Sequence, residues 1–173
     1  MDANALRAIQ APLKQRYRED PASARIPARA EGRIEAGEVA CVVRSWAGET
    51  RAGLHQAAGG DGSLACSGDM LLEALIACAG VTLKAVATAM GIELRGGRII
   101  AEGLWDARGT LAIDRAAPVG VIEIALRFEL DTDAAPDQVR RLIETTERYC
   151  VIYQTLRNPP QLSVTHHVLA AGA

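Results

Sequence analysis

Aromatic residues are scarce in this chain of 173 residues, because phenylalanine, tyrosine and tryptophan together make up only 3% of it. The apolar half of the composition therefore comes mainly from alanine, valine, leucine and isoleucine. Hydrophobic residues reach 49% and charged residues 23%, a balance that excludes a disordered chain. Length and composition together predict one globular domain of ordinary size, long enough to bury a core.

An excess of charge of either sign is also missing. The formal net charge is −2, from 19 basic and 21 acidic residues. Because no basic surface is indicated, we exclude nucleic-acid binding. Residues 70–91 are long and apolar enough to suggest a membrane span. Glu73 and Lys84 lie inside that stretch and strand patterns follow it, so we interpret it as a buried helix of a soluble protein without membrane partners.

Closely spaced cysteines are absent as well. The four cysteines are Cys41, Cys66, Cys78 and Cys150, and no two of them have the spacing of a CxxC motif. A zinc site built from Cys66, Cys78, Cys150 and His166 is therefore not expected, and neither is a cofactor. The first twenty residues contain acidic side chains and no apolar run of signal-peptide length. That predicts a cytoplasmic protein with reduced thiols.

The N-terminal part of the chain has its own pattern. Leu6, Ile9, Leu13 and Tyr17 fall on one stripe of a predicted helix over residues 4–18. The stretch "EDPASARIPARA" then contains two prolines and several small residues, which is typical of a linker. We therefore predict a helical extension and linker over residues 1–30 and a separate domain over residues 31–173.

Strand patterns begin at Arg33. The segment "EVACVVRSW" alternates, and "AGET" forms a plausible turn into a second strand that carries Arg51, Leu54 and His55. The glycine-rich loop "AAGGDGSLAC" follows. No Lys-Ser/Thr pair comes after its "GGDG", so a phosphate-binding loop is not indicated.

The remaining patterns place helices against strands. A helix over "SGDMLLEALIACAGVTLKAVATAMGI" is predicted with Ser67 as its N-cap, Asp69 in its first turn and Gly91 at its end. Two or three strands come next, and the clearest, "VIEIALRFEL", places Ile122, Ile124, Leu126, Phe128 and Leu130 on one face. Helices over "DAAPDQVRRLIETTERYC" and "VIYQTL" then precede a closing strand, "QLSVTHHVL". This order predicts an α+β fold in which antiparallel sheets pack on a long central helix.

Cys78 and Cys150 both fall on apolar stripes of predicted helices, so both are expected in one core. One interpretation is that they are small buried hydrophobes, as free cysteines often are. The other is a redox pair, in which one thiolate attacks an oxidant and the other resolves the product as a disulfide. Sequence patterns leave both interpretations open.

The chain resembles the OsmC/Ohr family of hydroperoxide-reducing proteins from about Arg33 to Leu169. "GGDGSLACSGDMLLEALIACAG" is similar to the family's glycine-rich loop, which leads through a Pro-Glu helix start to its first cysteine. "ERYCVIYQTL" is similar to the second cysteine segment, and "SVTHHV" to the closing strand. The resemblance implies an intertwined homodimer with strands around two central helices and an active site at the interface.

The resemblance also assigns roles. Cys78 corresponds to the peroxidatic cysteine and Cys150 to the resolving cysteine, with an organic hydroperoxide as substrate and an external dithiol, such as a lipoyl group, as reductant. Two alternatives remain: a non-enzymatic dimer that binds a small apolar ligand at the interface, and a structural dimer with inert cysteines. In this chain Gly68 and Asp69 replace the family's Pro-Glu pair.

The family's thiolate-stabilising arginine has no clear counterpart in this sequence. A buried thiol without a cationic neighbour is a poor nucleophile. We therefore predict that Arg51 or His55, steadied by Asp69, approaches Cys78, with Arg33 and Arg44 as further candidates.

Overall fold

The computed structural model of the chain describes residues 1–45 and 47–169. In these residues the helices are α1 (Ala3–Glu19), α2 (Ser67–Met90), α3 (Ala107–Thr110), α4 (Pro136–Tyr149) and α5 (Val151–Arg157). The strands are β1 (Glu31–Ile34), β2 (Ala40–Ser45), β3 (Gly48–Gly53), β4 (Ala65–Cys66), β5 (Gly96–Trp105) and β6 (Val121–Asp131). The predicted α+β class is confirmed.

The strands form two separate sheets. The first has the order β1–β2–β3–β4 and is antiparallel except for the short parallel pair β3–β4. The second is the long antiparallel pair β5–β6, which extends from Gly96 opposite Asp131 to Trp105 opposite Val121. The predicted strand carrying Arg51 is β3, and Leu54 and His55 follow directly after its end.

Helix α2 lies at the centre of the core. Its buried residues recur every fourth position, which places them on one stripe of the helix: Leu75, Ala79, Leu83 and Ala87. The helix lies against β5, α4 and α5. Within the described residues α2 is also the one helix long and apolar enough to cross a bilayer by length and composition, a test that core helices of soluble proteins pass as well.

The two ends of α2 differ in how closely they follow the prediction. The helix begins at Ser67, so the residue in the N-cap position is Cys66 and not Ser67. The reason is that Cys66 still has the extended backbone of β4, with φ −87° and ψ 136°, and helical geometry starts directly after it. Asp69 lies in the first turn as predicted. Gly91 ends the helix with a left-handed φ of 69°, a conformation that glycine adopts without steric cost.

Strand β6 presents alternate side chains to the helices, as the pattern predicts. Ile124, Leu126 and Phe128 pack on the buried core of α2, whereas Ile122 near the strand's beginning is 52% exposed. The polar residues between them, including Arg127, are exposed on the opposite face. The sheet therefore has one buried face, and α2 is held against it.

The predicted closing strand does not form in the described part of the chain, so that prediction was wrong for a single chain. Residues 159–169 have no regular secondary structure, and the side chains of Leu162 and Val164 are 90% and 93% exposed. A strand needs neighbouring backbone to satisfy its N–H and C=O groups. Between α2 and α4 there are two strands, at the lower end of the predicted two or three.

Helix α1 matches the helix predicted over residues 4–18 and lies against α2. None of its residues is buried, and Ile9 on its apolar stripe is 55% exposed. The division into an extension over residues 1–30 and a domain over residues 31–173 stays a prediction.

Candidate functional site

The structure brings Cys78 and Cys150 together in an apolar cluster between α2, α5 and the β5–β6 sheet. Cys78 is half-buried on α2, and Cys150 is only 1% exposed. The cluster around them consists of Leu75, Ala79, Ala101, Ile124, Leu126, Phe128, Ile152, Tyr153 and Leu156. Cys78 packs against the cluster that contains Cys150, and the neighbouring Cys150 thiol acts to lower the pKa of Cys78. All four cysteines of the chain are free thiols.

Cys150 occupies the corner between two helices. It is the single residue between the end of α4 and the start of α5, with an extended backbone at φ −74° and ψ 111°. Its own N–H group donates to the carbonyl oxygen of Thr146 at 2.9 Å, as in a last helical turn. Its sulfur accepts the N–H group of Tyr153 at 3.5 Å, which caps α5. Cys150 is therefore fixed by backbone contacts on both sides.

The α4–α5 corner is braced by side chains that converge on Glu147. The side-chain amide of Gln154 donates to the Glu147 carbonyl oxygen at 2.8 Å. The hydroxyl of Tyr153 donates to the Glu147 carboxylate at 3.3 Å. These bonds tie the first turn of α5 to the last turn of α4.

The surroundings of Cys78 favour its thiolate. Burial acts to raise the pKa of Cys78, but hydrogen bonds outweigh it and lower that pKa below the usual range. The donors are the N–H group of Ile152, the thiol of Cys150, the N–H group of Val151 and the hydroxyl of Thr82. Donors that bond to an anion stabilise the charged form, which is the physical reason for the shift.

The pKa of Cys150 moves in the opposite direction. Burial raises it, and the hydrogen bond and negative charge of Cys78 raise it further, against the N–H groups of Tyr153 and Ile152. Two neighbouring thiols cannot both ionise easily, because the second charge repels the first. Of the two thiols, Cys78 is therefore the one whose ionised form is favoured. An accessible low-pKa thiol beside a second thiol has the chemistry of a redox pair.

Arg51 lies away from this pair within the described chain. Its guanidinium bonds the carboxylate of Glu35 at 2.6 Å and that of Glu38 at 2.7 Å, which ties β3 to the turn between β1 and β2. Among the further candidates, Arg33 pairs with Glu35 at 3.6 Å and Arg44 with Glu49 at 2.7 Å. None of these arginines is among the groups that shift the pKa of Cys78.

His55 and Asp69 lie together at the beginning of α2. The Nδ1 atom of His55 accepts the N–H group of Ala57 at 3.0 Å, and its ring meets the Trp105 ring edge-on at 5.3 Å between centroids. His55, Asp69 and Cys66 line one small cavity of about 280 Å³. Asp69 precedes Cys78 by nine positions on α2, about 13.5 Å along the helix. Within one chain Asp69 therefore lies more than two helical turns from Cys78, and His55 lies beside Asp69.

The groups that do act on Cys78 were missed by sequence reasoning. Thr82 follows Cys78 by four residues, so the helical repeat alone could have indicated it as a neighbour. The N–H groups of Val151 and Ile152 carried no signal, because any residue type supplies a backbone donor. They become donors to Cys78 only because α5 begins beside it.

The other cysteines lie apart from the pair. Cys41 is half-buried on β2 in the other sheet, and Cys66 is half-buried where β4 meets α2. Among residues 1–45 and 47–169, no group of three or more His, Cys, Asp or Glu side chains could hold a metal ion.

An apolar cavity of about 590 Å³ lies between β6 and the α4–α5 corner. Leu75, Ile124, Leu126, Phe128, Tyr153 and Leu156 both line this cavity and pack around the cysteine pair. Arg157 and Glu147 add polar groups to its wall. The cavity therefore shares a wall with the cysteine cluster.

Comparison with known proteins identifies a family. The sequence pattern of the OsmC-like proteins matches residues 60–165, which include both Cys78 and Cys150. A search of the curated proteins found no relative of this chain.

Solved structures share the fold at low sequence identity. An OsmC-like protein from Mycoplasma pneumoniae has a TM-score of 0.65 and 15% identity, over 78% of this chain and 89% of its own. An organic hydroperoxide resistance protein from Elizabethkingia anophelis has a TM-score of 0.62 and 16% identity, over 78% and 92%. An OsmC-like protein of unknown function from Vibrio cholerae has a TM-score of 0.61 and 11% identity, over 76% and 94%. At these identities the likeness establishes the fold alone.

Proposed function

This chain belongs to the OsmC-like protein family, and we propose that it reduces organic hydroperoxides through a disulfide between Cys78 and Cys150. The observation that carries the proposal is the contact between the two thiols, in which the pKa of Cys78 is lowered and that of Cys150 is raised. A peroxidatic thiol must be ionised to attack, whereas a resolving thiol acts afterwards. The sulfur environments fit these two roles.

In the first step the thiolate of Cys78 attacks the terminal oxygen of the hydroperoxide. The O–O bond breaks, the sulfur becomes a sulfenic acid, and the alkoxide takes up a proton and leaves as an alcohol. The apolar wall around the pair suits the organic part of such a substrate. The hydroperoxide is thereby reduced by two electrons, and Cys78 is oxidised by two.

In the second step the sulfur of Cys150 attacks the sulfenic acid of Cys78. An S–S bond forms and water leaves, carrying the sulfenic oxygen. An external dithiol, for which a lipoyl group is our candidate, then reduces the disulfide by two thiol–disulfide exchanges and is itself oxidised to a disulfide. The protein returns to its two-thiol state without a bound cofactor.

We further propose that the working form is an intertwined homodimer. Apolar side chains from distant parts of the chain are strongly exposed, among them Ile34 at 85%, Val81 at 75% and Leu162 at 90%. Large exposed apolar surfaces are typical of surfaces that another chain covers. A second copy would cover the outer face of α2 and supply an edge on which residues 161–169 pair as a strand.

The proposed location is the cytoplasm, because a catalytic pair that starts as two thiols needs a reducing compartment. Arg51, His55 and Asp69 stay candidate catalytic residues, since a second chain could bring a cation to Cys78 that one chain does not.

A second candidate function is the binding of a small apolar ligand without turnover. The cavity of about 590 Å³ favours it, because its volume and mostly aliphatic lining are typical of small-molecule sites. Under this hypothesis the cysteines are core residues and peroxide consumes no thiol.

The two candidates separate in a thiol count. We would mix the reduced protein with one equivalent of cumene hydroperoxide and measure free thiols and alcohol over seconds. The proposal predicts that two thiols are lost per equivalent and that dithiothreitol restores them. Cys78→Ser should abolish the loss, whereas the matched variant Cys41→Ser should leave it unchanged. A loss of thiols that persists in Cys78→Ser would refute the assignment, and no rapid loss in the native protein would favour ligand binding.

A further inference from the structure

The α4–α5 corner depends on side-chain bonds for its shape. Helix α5 has only seven residues, Val151–Arg157, and so short a helix has little stability of its own. Beyond it, Asn158, Pro159 and Pro160 are exposed. The direction in which α5 leaves the corner must therefore be fixed at its beginning, where Cys150 is the single residue between α4 and α5.

Gln154 and Tyr153 supply that fixation. The 2.8 Å bond from Gln154 satisfies the carbonyl oxygen of Glu147, one of the last carbonyls of α4. The 3.3 Å bond from the Tyr153 hydroxyl reaches the carboxylate of the same residue. Within α5, the N–H group of Gln154 donates to the Cys150 carbonyl oxygen at 3.0 Å. One turn of α5 is thus held at three points around Cys150.

The direction of α5 decides what surrounds Cys78. The N–H groups of Val151 and Ile152 belong to the same turn and act on the Cys78 sulfur. The sheet opposite contributes the apolar side chains of Ala101, Ile124, Leu126 and Phe128 to the cluster. On α2 itself the polar neighbour is Thr82. Cys150, Tyr153 and Glu147 are titratable groups of the braced corner, and Glu123 of β6 and Arg157 of α5 line the adjoining cavity.

We propose that Gln154 and Tyr153 are positioning residues of the cysteine site, which hold the first turn of α5 through Glu147 so that its backbone N–H groups stay directed at Cys78. This inference rests on the proposed function for its biological meaning. The geometry of the α4–α5 corner then determines which sulfur attacks. Breaking the bonds of Gln154 and Tyr153 to Glu147 should move the N–H groups of Val151 and Ile152 away from Cys78 together.

The test compares Gln154→Met with Gln138→Met. Both changes replace a hydrogen-bonding amide at a helix end by an apolar side chain of similar length. In Gln138 the side-chain amide oxygen accepts the N–H group of Ala135 at 3.0 Å. Gln138 lies in the first turn of α4, at the opposite end of that helix from Cys150. The readout is the rate of Cys78 alkylation by iodoacetamide between pH 5 and pH 10, followed by peptide mass spectrometry. Thermal unfolding of both variants measures the purely structural loss.

In Gln154→Met the alkylation profile of Cys78 should move to higher pH, and its rate at pH 7 should fall by about threefold or more, since half a pKa unit is about a threefold change in thiolate. In Gln138→Met the profile should stay at its native position even if the midpoint of unfolding drops equally. Tyr153→Phe should shift the profile in the same direction by a smaller amount. Glu147→Gln keeps the backbone carbonyl oxygen that Gln154 bonds and a side-chain oxygen for Tyr153. The alkylation profile of Cys78 should therefore not move to higher pH in this variant.

Equal profiles for Gln154→Met and the native protein would overturn the inference, and so would equal shifts in Gln154→Met and Gln138→Met. Alkylation requires no peroxide, so this result is independent of turnover. A shifted profile in a protein that consumes no hydroperoxide would uphold the brace and reject the peroxidase function. Peroxide reduction by the native protein, together with an unshifted Cys78 profile in Gln154→Met, would uphold the peroxidase function and reject the brace.

Discussion

Cys78 and Cys150 pack together in one apolar cluster, although the two residues are 72 positions apart in the sequence. This contact stabilises a thiolate on Cys78 and disfavours one on Cys150. Backbone N–H groups of α5 add to the effect without a cationic side chain from the same chain. In the proposed redox cycle this difference in pKa makes Cys78 the thiol that attacks first.

Removal of the resolving thiol should trap the first intermediate. In Cys150→Ser, Cys78 should still reduce one equivalent of hydroperoxide but stop as a sulfenic acid, because no second sulfur is available. Dimedone labelling with mass spectrometry should find the adduct on the peptide that contains Cys78. In Cys78→Ser no adduct should form on Cys150. A disulfide between Cys78 and another cysteine of the same chain in Cys150→Ser would contradict the assignment.

The rate at which Cys78 reacts should change with pH at lower pH values than the rate of an ordinary thiol does. Its lowered pKa means that a larger fraction of Cys78 should be ionised at pH 7 than of a thiol in an ordinary environment. The rate should therefore fall as pH decreases through this lowered pKa and reach a plateau above it. Alkylation of Cys41, measured on its peptide over the same pH series, gives an internal comparison for Cys78. A midpoint at or above that of free cysteine would count against a reactive Cys78.

The hydroxyl of Thr82 should contribute measurably to that shift. Thr82→Val removes one donor to the thiolate while keeping the side-chain shape, and a bond to a charged group contributes about 1.5–3 kcal/mol. We therefore expect the pKa of Cys78 to rise in Thr82→Val, but only modestly, because Cys78 is half-buried and Thr82 contributes least of the four donors. Thr88→Val on the same helix is the matched control, since its hydroxyl donates to the Lys84 carbonyl oxygen at 2.8 Å. Equal alkylation profiles for the two variants would show that Thr82 has no role.

If Arg51 acts only within its own chain, Arg51→Ala should leave the alkylation profile of Cys78 unchanged, because Glu35 and Glu38 hold the guanidinium. His55→Ala should behave likewise, since its ring contacts Trp105. The measurement is the same titration, made on the purified protein at micromolar concentration. A profile that rises in either variant would instead support the cation expected from the sequence, delivered within the assembled dimer.

The homodimer should depend on the C-terminal segment. Val164→Asp places a charge on a side chain that is 93% exposed in one chain but buried if residues 161–169 pair with a second copy. We expect its dimer dissociation constant to rise at least about tenfold, or about 1.4 kcal/mol, in sedimentation equilibrium. Ser163→Asp, on the other side of the alternation, should have little effect. A native protein that sediments as a monomer would remove the basis of this prediction.

Much of the fold could be predicted from the sequence because local patterns agreed with the final packing. The period of α2, the alternation in β6 and the glycine at position 91 each reflect which face meets the core. The closing strand failed for a different reason. Its alternation is real, but pairing requires an edge that the described part of one chain does not provide.

The sequence by itself determined that Cys78 and Cys150 lie in one apolar core, because helical period and hydrophobic burial are local properties of the chain. It wrongly placed Cys150 within a helix, whereas the structure has it at the corner between α4 and α5 with an extended backbone. Only the tertiary structure decided which groups surround the sulfurs. Backbone N–H donors are common to nearly all residue types, so their direction depends on where α5 begins and how Gln154 holds it. For the same reason the expected arginine could be placed only by folding, which paired Arg51 with Glu35 and Glu38 instead.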